Sequence, residues 1–199
     1  MGAFITVNTT NPNVQIADKN NPPSLDKSIT GVKDQNNAND GSIFDATETA
    51  ETTDPGAGSN EHAIAQVGDT ITYSIVIVAK PGAQNYVLTD TMDNGLTPPA
   101  ATGVSVMAGT TDLKTQETVA GTADATVSVS GQIITVNFAQ AYLDTITANT
   151  TITVTYTATL NDAAVVATGS NDNTARLTWG HDNNTNYHCL RRTRSDFIS

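Results

Sequence analysis

Apolar and polar residues alternate with period two along most of the patterned segments of this chain, which is the signature of half-buried strands. In Thr70–Ala79, Ile71, Tyr73, Ile75 and Ile77 alternate with mostly polar partners. Thr150–Leu160 is the clearest case, with Ile152, Val154, Tyr156, Ala158 and Leu160 in phase. Strands are also predicted at Ser24–Thr30, Tyr86–Met92, Val104–Met107 and Asn173–Trp179, with a hairpin of Thr126–Ser130 and Gln132–Phe138 around Gly131. Turn signals at Val67-Gly68-Asp69, Pro81-Gly82 and Asp93-Asn94-Gly95 punctuate them. The pattern predicts an all-β, antiparallel β-sandwich with a long early loop, residues 34–60. Residues 1–22 read as a leader or linker with a short strand at Ile5–Val7, 23–180 as one domain, and 181–199 as a disordered or artificially appended tail.

Three polar residues break the expected burial. Lys27 is in phase with Leu25 and Ile29, Asp90 with Tyr86, Leu88 and Met92, and Asn173 with Ala175, Leu177 and Trp179. Alternation points all three side chains into the core, at a cost of several kcal/mol unless they satisfy one another. An amine, a carboxyl and a carboxamide meeting in an apolar pocket are also the reactants for an intramolecular amide bond.

Composition supports the strand reading: Thr, Val, Ile and Ala are abundant, while Leu, Glu, Lys and Arg are scarce. A net charge of −11 leaves no basic stripe for nucleic acid, and three of the four arginines (Arg191, Arg192, Arg194) crowd into the last ten residues. Cys189 is the only cysteine, so no intramolecular disulfide staples the domain. No run of 18 apolar residues is present and the N-terminus lacks a signal-peptide pattern, so an exported protein would contain this chain as an excised piece.

Four segments carry a resemblance. Val67-Gly68-Asp69-Thr70-Ile71-Thr72-Tyr73 resembles the GD-x-h-x-Y opening of isopeptide-forming domains in Gram-positive surface pilins, and Leu88–Leu96 resembles their D-T-h-x-x-G-L segment. Asn173-Thr174-Ala175-Arg176-Leu177 is similar to their N-T-A-x-L strand, and Pro23-Ser24-Leu25-Asp26-Lys27 to the strand bearing their reactive lysine. The motifs follow in order over residues 23–180 and are most similar to the fimbrial D2 type, a CnaA-like, immunoglobulin-like sandwich. The resemblance implies Lys27 as nucleophile, Asn173 as acceptor and Asp90 as the catalytic acid of a self-crosslinking, single-turnover reaction rather than an enzyme. Physical chemistry agrees: an apolar pocket favours a neutral amine, and a neighbouring carboxyl can move the protons. Lys19 and Lys33 are rival amines, and Asn171, sharing the parity of Asn173, is the rival acceptor. Neither a sortase sorting signal nor a pilin-motif lysine is evident, so polymerisation is not assigned to this segment.

Other features carry less. Asp34–Gly41 is rich in oxygen ligands but lacks the terminal glutamate of an EF-hand loop, and His62, His181 and His188 have no ligand partners at metal spacing, so no metal or other cofactor is expected. Sequons at Asn8, Asn149 and Asn183 fit a pattern that arises by chance in an Asn/Thr-rich chain. Tyr73, Tyr156 and Trp179 fall on inward faces and are the candidates to line the Lys27–Asn173 pocket. The leading reading is therefore a structural domain of a bacterial surface pilin or adhesin, extracellular, with neighbouring pilin subunits or domains as partners. The alternative is a module binding host protein or glycan through loops 34–60 and 108–124.

Overall fold

The computed structural model describes residues 22–39, 42–44, 62–164, 171–180 and 187–197. The expected strand Ile5–Val7, Lys19, most of the early loop, His181 and the sequons at Asn8 and Asn183 lie outside them. Two sheets enclose one core. The first runs in the order β1 (Ser24–Lys33), β4 (Thr70–Ala79), β11 (Thr150–Leu160), β7 (Ser105–Ala108) and β8 (Thr111–Asp112), with β6 (Leu96–Thr97) paired to the end of β11. The second runs β2 (Ser42–Phe44), β3 (His62–Ala65), β13 (Tyr187–Phe197), β12 (Asp172–Trp179), β5 (Val87–Met92), β10 (Ile133–Phe138) and β9 (Ala125–Ser130). Every pair is antiparallel except β3 with β13. This is the β-sandwich that the alternation predicts, of the immunoglobulin-like type that the resemblance implies. Among the described residues the only α-helix is one turn, α1 (Gln140–Leu143), and no helix is long and apolar enough to cross a membrane.

Burial follows the alternation closely. Along β4 and β11 every second residue is buried, so Ile71, Tyr73, Ile75 and Ile77 meet Ile152, Val154, Tyr156 and Ala158 on one inner face. β1 keeps Leu25, Lys27 and Ile29 inward, then shifts register between Ile29 and Gly31. That bulge inserts one residue and resets the parity, which is why Val32 rather than Gly31 or Lys33 returns to the core.

Two glycines of the motifs have structural reasons. Gly68 sits at φ +95°, a conformation side chains rarely adopt, in a turn closed by Asp69, whose carboxylate accepts the Gln66 N–H at 2.7 Å. At Gly95 the constraint is space: a Cβ there would lie 2.2 Å from Asn171 Oδ1 and 2.8 Å from the Ala164 Cα.

Three sequence expectations need correction. The segment 187–197 is a strand rather than an unpatterned tail, pairing with β12 from Asp172–Arg194 to Trp179–Tyr187 and with β3 on its other side. Backbone ladders on both edges form it, so side-chain alternation is not required. β12 is consequently not the last strand. The early loop also contributes structure, since β2 pairs with β3. Loop 108–124 is internally braced: buried Asp124 accepts the Thr118 N–H at 2.7 Å and its hydroxyl at 3.0 Å.

Candidate functional site

Lys27, Asp90 and Asn173 are each 0 % exposed. They come from three strands in two sheets. Lys27 lies on β1 opposite Ile75, while Asp90 on β5 faces Ala175 of β12, one inward position along from Asn173, which faces Met92. Lys27 and Asn173 therefore do not occupy neighbouring strands. They project from opposite sheets and meet across the core.

The point of meeting is the Tyr156 hydroxyl. Tyr156 on β11 aligns with Tyr73 on β4, and the two rings stack with centroids 5.3 Å apart and planes at 26°. The hydroxyl donates to Asp90 Oδ2, accepts from Asn173 Nδ2 at 2.7 Å and accepts from Lys27 Nζ at 3.2 Å. Lys27 Nζ also donates to Asp90 Oδ1, forming a buried ion pair. Sharing one hydroxyl limits the separation of the lysine and carboxamide nitrogens to about 6 Å. The Tyr73 and Tyr156 rings lie 5.2 and 5.9 Å from the amine and help keep water from it.

Electrostatics match this geometry. Burial lowers the Lys27 pKa to about 8, against the opposing pull of Asp90 through charge and hydrogen bonding. Tyr156 is raised well above the usual phenol value, first by burial and then by the neighbouring Asp90, so it stays a protonated hydroxyl. A lysine depressed in the folded state makes the unfolded chain bind more protons between about pH 8 and 10.5, so folding stability rises with pH across that window. The variant Asn173→Ala, which leaves Lys27 no carboxamide to react with, should show this rise in denaturant titrations. A flat or falling profile would mean that the amine is not desolvated.

The rivals are placed elsewhere. Lys33 Nζ turns outward to Asn37 Oδ1 at 3.0 Å, and Asn171 is buried with its Oδ1 against Gly95. Trp179 shares the inward face of β12 but lies six residues beyond Asn173, about 20 Å along the strand, and does not line the pocket. The sequence treats Tyr156 as a pocket wall and misses its hydroxyl as the hub; an inward tyrosine beside three polar groups was the available signal. Asp93 was also missed. Its N–H donates to the Asp172 carbonyl at 2.9 Å and its carboxylate accepts the Asp172 N–H at 2.9 Å, pinning the backbone next to Asn173.

The fold and its inward polar cluster define an immunoglobulin-like sandwich domain, and comparison with known proteins gives its family. The model of the Gram-positive pilin backbone subunit 2, Cna-B-like domain, matches residues 67–184, more than half of the chain. The chain belongs to that family. That family is Cna-B-like, where the motifs resemble the CnaA-like type. The matched stretch contains Asp90, Tyr156 and Asn173 but not Lys27. No curated protein matches. Among solved structures, the chain is similar to the pilus backbone RrgB of Streptococcus pneumoniae, at 22 % identity and TM-score 0.55, covering 80 % of this chain and 31 % of that one. It is also similar to the T6 backbone pilin of Streptococcus pyogenes, at 14 % identity and TM-score 0.58, covering 87 % and 36 %. The major pilin BcpA of Bacillus cereus matches at 17 % identity and TM-score 0.54, covering 87 % and 39 %. The chain thus spans about a third of the length of the pilins it matches.

Proposed function

We propose that this chain is a structural domain of a Gram-positive surface pilus, rigidified by an amide bond between Lys27 and Asn173 that forms with the help of Asp90. One observation carries the reading: an amine, a carboxyl and a carboxamide, all without solvent exposure, gather around a single hydroxyl. Such an arrangement is costly as a mere hydrogen-bonded cluster, because each group gives up hydration. It is productive as a reactant set.

The chemistry follows from the buried, hydrogen-bonded pair Lys27–Asp90, between which one proton can move. In the tautomer with that proton on Asp90, the lysine is a free amine with a lone pair for attack on the Asn173 side-chain carbonyl carbon. The new C–N bond forms, the amine surrenders one proton, the carboxamide nitrogen gains one, and ammonia leaves. Asp90 takes and returns protons without net change. Holding both reactants on opposed strands replaces a bimolecular encounter by an effectively unimolecular one. The product spans the two sheets, so a pulling force that separates them meets a covalent bond. In this role the domain works once on itself and is otherwise structural, at the cell surface, among neighbouring pilin subunits or domains.

Intact mass tests the reading. The purified wild-type chain should be lighter than its sequence by one ammonia, and Lys27→Ala and Asp90→Ala should have their full sequence mass. A wild-type chain at full sequence mass would reduce the cluster to hydrogen bonding.

A further inference from the structure

The hydrogen bonds of the pocket form a continuous path from the attacking nitrogen to the departing one. Lys27 Nζ meets Asp90 Oδ1; Asp90 Oδ2 meets the Tyr156 hydroxyl; the hydroxyl meets Asn173 Nδ2 at 2.7 Å. The two carboxyl oxygens thus face different partners, one toward the nucleophile and one toward the tyrosine. From this geometry we propose that Tyr156 is a catalytic residue of the crosslinking reaction, delivering the proton that releases Asn173 Nδ2 as ammonia. The proposal rests on the crosslinking reading and adds the route that its protons take.

The step balances as follows. Attack forms the Nζ–Cγ bond and pyramidalises Nδ2, which exposes a lone pair toward the hydroxyl oxygen. In the tautomer that reacts, the proton Asp90 has taken from Lys27 sits on Oδ2. The hydroxyl, which at rest donates to Oδ2 and accepts from Nδ2, reverses both hydrogen bonds. A second Nζ proton passes to Asp90 Oδ1, the Oδ2 proton to the Tyr156 oxygen, and the Tyr156 proton to Nδ2. The Cγ–Nδ2 bond then breaks and ammonia departs. Asp90 and Tyr156 end as they began, and Nζ has lost the one proton that Nδ2 gained. A carboxyl acting alone would have to serve both nitrogens; here the hydroxyl extends its reach to the second.

The scaffold suits this role. Tyr156 is held by its stack on Tyr73, and its strand neighbours Val154 and Ala158 are buried on the same face, so the hydroxyl is fixed rather than rotating among solvent partners. Burial keeps the phenol protonated until the leaving nitrogen becomes basic. The ring alone would suffice to exclude water. The placement of its oxygen between Asp90 and Nδ2 is what a wall residue does not need.

The test follows crosslinking in time. Chain recovered from inclusion bodies in guanidinium is refolded by dilution, and ammonia loss is read by intact mass. Tyr156→Phe keeps the ring and removes the hydroxyl, and should slow the bond by about 100-fold relative to wild type, the ordinary worth of a positioned acid. Circular dichroism confirms that the variant has folded. A second chain carries 3,5-difluorotyrosine at position 156, which preserves packing but makes the hydroxyl more acidic; its rate should change measurably. Wild-type rates in both chains would overturn the relay and leave the crosslink standing. If Tyr156→Phe fails to fold, the fluorinated chain decides alone, an unchanged rate overturning the relay. Absence of ammonia loss in the wild type would remove the crosslink and the relay together.

Discussion

Asn173→Ala is expected to lower stability by about 5 kcal/mol relative to the wild type, because the proposed bond from Lys27 to Asn173 closes a loop of about 145 residues. Chain-entropy arguments developed for disulfides give that magnitude for such a loop. The variant cannot form the bond, yet it retains Lys27, Asp90 and Tyr156 in contact, so the loss is not confounded with a stranded charge. Lys27→Met should fall at least as far. It loses the same bond and also leaves Asp90, buried in the core, with no amine beside it. Guanidinium titration of the three chains measures both differences. A drop of under about 1 kcal/mol for Asn173→Ala would show that no long-range covalent restraint existed in the wild type. With a single cysteine in the chain, no intramolecular disulfide substitutes for that restraint.

The second large effect is kinetic. Asp90→Asn conserves shape and the capacity to hydrogen-bond Tyr156, but a carboxamide cannot take a proton from the attacking amine and pass one on. Crosslinking after refolding should slow by about 10²- to 10⁴-fold while the sandwich still forms, since the substitution is isosteric. The slowing should match or exceed that of Tyr156→Phe, because Asp90 touches both the nucleophile and the tyrosine. An Asp90→Asn chain that crosslinks within a factor of about three of wild type would remove the carboxyl from the chemistry.

Strand parity was legible in the sequence wherever a strand was long and regular. β4 and β11 begin and end where the alternation does, at Thr70–Ala79 and Thr150–Leu160. β1 runs three residues further than its pattern, because the bulge after Ile29 breaks the period while the pairing continues to Lys33. β2, β3, β6 and β8 are two to four residues long, too short for any period to register. β13 is a different failure: its run Leu190-Arg191-Arg192-Thr193-Arg194-Ser195-Asp196 has no alternation to read, and backbone pairing on both sides makes the strand regardless.

The same logic divides the site. Parity sent Lys27, Asp90 and Asn173 inward, because one residue's phase is a local property of its strand. Which sheet each strand joins is not local, so the meeting of β1 with β12 across the core, rather than side by side, was not readable. Phase is also blind to distance along a strand: Trp179 had the right face and the wrong position. The hub role of Tyr156 needed both kinds of tertiary fact, Lys27 two strands away in its own sheet and Asp90 and Asn173 on the opposite one.

Peptide mapping tests the central claim most directly. Trypsin should cut after Lys19, Lys33, Lys114 and Arg176 but not at an acylated Lys27, so digestion of the wild-type chain is predicted to yield residues 20–33 joined to residues 115–176 as one branched peptide, lighter by one ammonia than the two together. Fragmentation should place the junction between the Lys27 nitrogen and the Asn173 side-chain carbon. Recovery of linear peptides cut after Lys27, alongside an unmodified 115–176 fragment, would contradict it.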